Sequence, residues 1–153
     1  MKLYLAHPIG TRHDVRKWEL EFEKRTGIEL DNPFYDTERQ DIVAIDQGKQ
    51  TPFNITLDFH GIVRDDLAKI DSCDGLVASV DKSVPSIGTF MEMWYCGIQS
   101  DKPVFVVSPN WDTHPWLRYV TDESDGFIVK DWAEFEKRIV KRVKKRRLNN
   151  GAK

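Results

Sequence analysis

Residues 75–107 read GLVASV-DKSVP-SIGTFMEMWYCGIQ-SDK-PVFVV, and this stretch decides the fold class. The apolar runs at 75–80 and 104–107 predict two buried strands, and the second is so free of polar residues that we expect it at the centre of a sheet. Residues 86–99 predict a helix between them, with Met91 among its inward-facing side chains. Because strands joined by a crossover helix run parallel, the stretch predicts a parallel sheet.

Alternating strand and helix patterns continue on both sides of this unit, so the whole chain predicts one α/β domain with helices on both faces of the sheet. An irregular segment is predicted between residues 107 and 126. Residues 34–56 have no clean period, and we interpret them as a lid or binding loop. The predicted strands are 2–6, 28–30, 75–80, 104–107 and 126–129, and the predicted helices are 14–25, 57–70, 86–99 and one capped by Asp131.

Composition limits the classes of function. The chain has 153 residues, 40% hydrophobic and 31% charged, which is typical of one globular domain. Its net charge of −2 does not favour a protein that coats a polyanion. Cys73 and Cys96 lack a pairing pattern and predict two buried thiols. With neither a leader nor a membrane-length apolar run, we expect a soluble cytoplasmic protein without a membrane partner.

The helix start at Ser86 carries the first candidate site. Ligands of parallel α/β sheets bind at the carboxyl ends of the strands, and this helix begins there. Ser86 can cap the helix, while Gly88 and Thr89 lie in its first turn, where free N–H groups attract anions. Glu92 follows among apolar neighbours, although an acidic residue favoured by the helix dipole is the simpler alternative. We expect Glu92 to be catalytic.

The turn after the first strand is the second candidate. It contains Gly10 and Arg12, residue types that suit an anion. It lacks the Gly-x-Gly-x-x-Gly pattern of a dinucleotide site. The four histidines have no metal-ligand spacing, so we expect neither a metal nor a cofactor. The residues of this turn expected to bind substrate are His7, Pro8, Ile9, Gly10 and Arg12.

Two charged stretches are interpreted as solvated when taken alone. Asp65 and Asp66 are adjacent on a predicted helix, so one of them is expected to face solvent. Residues 137–147 contain eight basic side chains and no interleaved aromatic residue. We interpret that run as a helix end and frayed tail rather than as a nucleic-acid site.

Three elements, in order and spacing, resemble the nucleoside 2-deoxyribosyltransferase superfamily, which also holds the 2'-deoxynucleoside 5'-monophosphate N-hydrolases. They are Tyr4-Leu5-Ala6-x-Pro8, then Asp66-Leu67-x-x-Ile70-x-x-x-Asp74, then Gly88-Thr89-x-x-Glu92 followed by Lys102-Pro103-Val104. The resemblance covers about the first 107 residues. It implies a flavodoxin-like sheet of about five parallel strands, in a domain that we place at 1–147, with residues 148–153 as a disordered tail.

The resemblance also implies an activity: cleavage of the N-glycosidic bond of a nucleoside or its 5'-monophosphate, within nucleotide metabolism and salvage. Glu92 would attack the anomeric carbon, Asp66 would hold the sugar or protonate the leaving base, and Tyr4 would position Glu92. Family active sites are completed by a neighbouring subunit, so we expect a homo-oligomer. The aromatic residues at 111–119 are expected at its interface, with Trp116 also among the substrate-binding residues.

Two departures from the family leave the acceptor open. Transferases commonly carry Asp where this chain has Ser86, and Ser at this place resembles the monophosphate hydrolases. The Asn that transferases supply near the chain end has no counterpart in residues 113–117. Transfer to another base, strict hydrolysis of monophosphates, a nucleotide-sensing module without catalysis, and a nucleic-acid accessory protein using the basic run are the alternatives.

Overall fold

The computed structural model describes residues 1–35 and 58–151. All five strands are parallel and form one sheet in the order β2-β1-β3-β4-β5. This is the flavodoxin-like, doubly wound order, so the expected fold class is confirmed. The elements are β1 (Lys2–Ala6), α1 (Arg12–Thr26), β2 (Glu29–Asp31), α2 (Phe59–Ser72), β3 (Leu76–Ser79), α3 (Ile87–Trp94), β4 (Val104–Val107), α4 (Pro115–Glu123), β5 (Phe127–Val129) and α5 (Trp132–Gly151). A 3₁₀ turn (Ile9–Thr11) precedes α1, and a π-helical turn (Tyr95–Gln99) extends α3.

The sheet separates two apolar layers. Alternate residues of a strand point to opposite faces, so Leu3 and Leu5 of β1 lie on one side while Tyr4 and Ala6 lie on the other. Helices α1 and α5 cover the Leu3 side, and α2, α3 and α4 cover the Tyr4 side. Tyr4 is therefore brought to the layer that contains α3, the helix of Glu92.

Two predictions about local structure are wrong. The segment predicted to be irregular between β4 and β5 contains α4, which begins with Pro115. Proline suits the first position of a helix because the backbone N–H that it lacks would have no intrahelical partner there. Met91 is 62% exposed rather than inward-facing. Helix α3 and its π turn instead bury Thr89, Met93 and Cys96, which are spaced so that they share one face.

The structure leaves the predictions for the chain end and for the long connection at 34–56 untested. Helix α5 continues to Gly151 without a break at residue 147, so the division into a domain and a tail stays a prediction. The predicted lid at 34–56 lies outside the described residues except for its first two.

Cys73 and Cys96 are buried, as expected, and burial raises the pKa of Cys96 to about 12. None of the helices in the described ranges has both the length and the apolar character needed to cross a bilayer.

Candidate active site

Glu92 and Tyr4 are joined by a hydrogen bond. The Tyr4 hydroxyl donates to Glu92 Oε1 over 2.8 Å, across 88 residues of sequence. Tyr4 is fully buried in the middle of β1, and Glu92 is half-buried on α3. A hydrogen bond to an ionised group is stronger than a neutral one, and it holds the carboxylate in one orientation. The structure thus brings together two of the three residues expected to be catalytic.

The helix start that precedes Glu92 has the expected cap. Ser86 Oγ accepts a hydrogen bond from the backbone N–H of Thr89, at 3.4 Å. A Cβ added at Gly88 would lie 3.9 Å from Ser86 Oγ, an ordinary contact, so packing among the described residues does not require a glycine there. The absence of a side chain leaves space above the first turn of α3.

Thr89 has an unsatisfied polar atom. Its side chain is 3% exposed, and Oγ1 has no hydrogen-bond partner among the residues that the structure describes. Buried polar atoms are nearly always hydrogen-bonded, so this hydroxyl needs an explanation. Thr89 precedes Glu92 by three residues, which places both on the same side of α3.

The turn after β1 is partly buried and fixed by its own hydrogen bonds. His7 and Pro8 are buried, Ile9 is half-buried and Gly10 is exposed. The Pro8 carbonyl accepts from the backbone N–H and hydroxyl of Thr11, which follows it by one 3₁₀ turn. Arg12 Nη1 donates to the Ile9 carbonyl at 3.2 Å, so this guanidinium folds back onto the turn that it was expected to serve.

A buried polar chain lies behind His7. His7 Nε2 is 3.3 Å from Asn32 Oδ1, and Asn32 Nδ2 donates to Glu19 Oε2 at 2.7 Å. Glu19 is fully buried and pairs with Arg16 through its other oxygen. Because Glu19 takes the amide N–H₂ of Asn32, the amide oxygen must face His7. Burial lowers the pKa of His7, which favours the neutral imidazole.

Asp66 lies on α2, half-buried. Helix α2 packs against β1 and α3, so Asp66 is on the same side of the sheet as Tyr4 and Glu92. Its neighbour Asp65 is exposed, as the sequence predicts for one member of that pair.

Two loops at the carboxyl edge of the sheet are joined by hydrogen bonds of residues that the sequence analysis did not single out. Asp81 Oδ1 accepts from Asn110 Nδ2 at 2.9 Å and from the Ser83 hydroxyl at 2.6 Å. The Lys82 backbone N–H donates to Asn110 Oδ1. These hydrogen bonds, led by that from Asn110, lower the pKa of Asp81 to about 2. These hydrogen bonds join the β3–α3 loop to the β4–α4 loop. Asp81 and Asn110 each follow the end of a strand, and that position is the sequence signal that identifies them.

Trp116 lies apart from Glu92. It is 60% exposed on α4 and lines an apolar groove of about 370 Å³ between α3 and α4. The groove is lined by side chains of α3 and of the segment that contains α4: Phe90, Met91, Met93, Trp94, Trp111, His114, Trp116 and Val120. Glu92 bonds instead to Tyr4 on the sheet side of the helix.

The described residues include no cluster of side chains suited to binding a metal ion. Among residues 1–35 and 58–149, no three His, Cys, Asp or Glu side chains are grouped so that they could hold an ion.

Solved structures with the same fold are known. One is a 2-deoxyribosyltransferase from the psychrotolerant bacterium Bacillus psychrosaccharolyticus, with a TM-score of 0.61 and 21% identity over 89% of this chain and 90% of that one. The chain shares its fold with this enzyme. The CMP N-glycosidase BcmB of Clostridium botulinum also aligns, with a TM-score of 0.58 and 17% identity over 91% of this chain and 98% of that one.

A third structure, a conserved protein from Enterococcus faecalis V583, has a TM-score of 0.62 and 18% identity over 95% of this chain and 98% of that one. No family model and no curated protein matches the sequence. The resemblance to the nucleoside 2-deoxyribosyltransferase superfamily is therefore confirmed at the level of the fold.

Proposed function

We propose that this protein cleaves the N-glycosidic bond of a (2'-deoxy)nucleoside or its 5'-monophosphate, with Glu92 as the nucleophile. The observation that carries the proposal is the 2.8 Å hydrogen bond from Tyr4 to Glu92, because it orients a carboxylate in the second turn of α3, a helix that begins at the sheet edge where such folds bind ligands. Two proteins of the same fold, a 2-deoxyribosyltransferase and a CMP N-glycosidase, are by name enzymes of this bond. The enzyme would act in the cytoplasm, in nucleotide salvage.

The proposed reaction has two steps. A Glu92 oxygen attacks the anomeric carbon as the bond to the base breaks, and the base leaves with the electron pair and takes a proton from Asp66. The oxocarbenium-like transition state collapses to a glycosyl ester of Glu92. In the second step water, or the nitrogen of another base, attacks the same carbon and gives its proton to Asp66. The ester bond to Glu92 breaks as the new bond forms, which restores the carboxylate.

Glu92→Gln and Glu92→Ala test the nucleophile. We expect both variants to fold and to release no free base from a panel of deoxynucleosides and their monophosphates, because a nucleophile contributes to the transition state and little to packing. Intact-mass spectrometry of the parent, quenched during turnover, should show an adduct of one sugar or one sugar phosphate that is absent in Glu92→Gln. A folded Glu92→Gln protein with parental activity would contradict the covalent mechanism, and binding without any base release in the parent would favour the sensing module.

The substrate is proposed to be a nucleoside monophosphate, with water as a competent acceptor. Ser86 adds no negative charge at the first turn of α3, whereas an aspartate there would repel a phosphate. Arg12, on the turn after β1, is the proposed counter-charge. We expect the parent to prefer a monophosphate to its nucleoside in kcat/KM, and Ser86→Asp to reverse this preference. A parent that prefers nucleosides and passes the sugar to an added base would establish a transferase instead.

We also propose a homodimer whose sites are shared. Trp116 lines the groove between α3 and α4, and Glu92 does not line it, so Trp116 of one subunit is proposed to serve the Glu92 site of another. Exposed aromatic and apolar side chains along the groove suit a subunit interface. Light scattering at micromolar concentration should show a dimer. A mixture of Glu92→Gln and Trp116→Ala proteins should regain about a quarter of the parental activity, because half of the dimers formed would each hold one intact site. A monomer, or a mixture without activity, would contradict the shared site.

A further inference from the structure

The charge of this protein is divided unequally along the chain. Residues 137–153 contain nine of the 23 Lys and Arg side chains and no acidic residue, which leaves the other 14 with all 25 acidic side chains in residues 1–136. The C-terminal segment thus carries +9 and the rest of the chain −11. The overall charge of −2 conceals this separation.

Helix α5 presents most of these cations to solvent. Its apolar contacts with the sheet come from Phe135 and Ile139, which are fully buried, and from the partly buried Val143. Lys137, Lys141, Lys144 and Lys145 are spaced to lie on the opposite face of the helix. After Val143, every described side chain up to Asn149 is exposed, so the helix continues beyond the core that supports it.

Six of the basic side chains have no partner within the described residues. They are Lys137, Lys141, Lys144, Lys145, Arg146 and Arg147, which we call the basic end of α5. Two neighbours behave differently: Arg142 donates to Asp125 at 2.6 Å, and Arg138 lies 4.2 Å from the centroid of the Phe127 ring. Arg138 and Arg142 thus contact the body of the domain, whereas the basic end of α5 makes no such contact with the described residues.

Helix stability does not explain the basic end of α5. One or two cations in the last turn are enough to complement the helix dipole. Here like charges recur three and four residues apart, for example at Lys141 with Lys144 and Lys145, and such pairs destabilise a helix. An anionic partner would remove this repulsion. We propose that the basic end of α5 is a docking site for double-stranded DNA, bound through its phosphates without sequence preference.

The chemistry of the surface favours DNA over its alternatives. Aromatic residues are needed to stack on unpaired bases but not to neutralise the phosphates of a duplex, so their absence from residues 137–147 argues only against single strands. The exposed end of α5 has one large apolar side chain, Leu148, whereas a membrane-surface helix needs an apolar face. A projecting helix fits the major groove of B-form DNA, while that of duplex RNA is too deep and narrow for side chains.

Binding of a fluorescein-labelled DNA duplex of about 20 base pairs, followed by anisotropy at several salt concentrations, tests the proposal. If all six side chains contact phosphates, log K should fall with log salt with a slope of about −5, equivalent to roughly a thousandfold loss of affinity from 50 to 200 mM salt. The triple variant Lys144→Gln, Lys145→Gln, Arg146→Gln should reduce the slope by about 3. Glutamine is a good helix former, and circular dichroism should confirm that the helix is kept.

A matched control removes the same charge elsewhere: Lys17→Gln, Lys24→Gln, Lys130→Gln, all at exposed positions. This control should keep the parental slope, and both triple variants should keep the parental release of base from mononucleotides. Three results would overturn the proposal: equal loss of DNA binding in the two triple variants, tighter binding to duplex RNA than to DNA, or binding to vesicles of anionic phospholipid without binding to DNA. None of these results depends on whether the chain is a glycosidase.

Discussion

Replacing Tyr4 by Phe tests the central contact of the proposed site with a minimal change. Tyr4 is fully buried, and phenylalanine keeps the ring that packs in the layer with α3. The change removes one hydrogen bond of 2.8 Å to Glu92 Oε1. A hydrogen bond to a charged group contributes about 1.5–3 kcal/mol, and each 1.36 kcal/mol in the barrier is tenfold in rate. If that energy orients the nucleophile, kcat should fall about 10- to 150-fold.

The assay is release of free base from a deoxynucleoside 5'-monophosphate, with kcat and KM measured separately. KM should change by only a few-fold, because the tyrosine hydroxyl acts on the carboxylate and not on the bound substrate. Tyr95→Phe is the matched control, since the Tyr95 hydroxyl also donates to a carboxylate, Asp71 Oδ2, at 2.9 Å. We expect Tyr95→Phe to change the thermal unfolding midpoint and to keep kcat within about twofold.

A Tyr4→Phe protein with unchanged unfolding and parental kcat would refute the reasoning, because the hydrogen bond would then contribute nothing to the barrier. An equal fall of kcat in both variants would also count against it. That result would show a general loosening of α3, since Tyr95 lies in the π turn that extends this helix.

Three further outcomes follow from the site. Thr89→Val should leave the thermal unfolding midpoint unchanged or higher, because it removes a buried oxygen that has no hydrogen-bond partner among the described residues. If that oxygen binds substrate, the base-release assay should show kcat/KM about tenfold lower. Glu19→Gln should lower the free energy of unfolding by about 2–3 kcal/mol in urea titration, whereas the exposed Glu21→Gln should change it little. Burial lowers the pKa of His7 below its ordinary 6.5, so its contribution to stability is complete above pH 6.5 and is lost as the pH falls further. His7→Gln should remove that part of the pH dependence of urea unfolding.

The fold was predictable because it depends on repeated, local patterns. The apolar runs at β3 and β4 and the helix pattern between them specify a parallel unit. Strands and helices alternate on both sides of this unit, so the same pattern extends along the chain. Helix α4 was missed because its first residues resemble a loop. Its buried residues Leu117, Val120 and Thr121 have helical spacing, so the signal was present, and Pro115 suits the first position of a helix.

The site was predictable only in part, because its contacts join distant residues. Nothing in residues 1–10 shows that Tyr4 bonds to Glu92; that expectation came from a family resemblance. The buried Glu19 lies in the helix predicted at 14–25, and the sequence analysis assigns it no role. Yet Val15, Glu19 and Phe22 share one helical face, and all three are buried. A charged residue on an apolar stripe is a sign of a buried partner, here Asn32.

Helix α3 is proposed to serve both a site and an interface. Its side chains divide by position. Thr89 and Glu92 lie toward the sheet, whereas Phe90, Met91 and Trp94 line the groove against α4. The buried Met93 packs in the core and also lines that groove. An apolar residue beside Glu92 therefore need not surround the carboxylate, and the exposure of Met91 shows that it does not. Of the apolar neighbours of Glu92, Phe90, Met91 and Trp94 line the groove. The proposal for Glu92 accordingly rests on its hydrogen bond with Tyr4, and the proposed second subunit would cover the apolar residues of the groove.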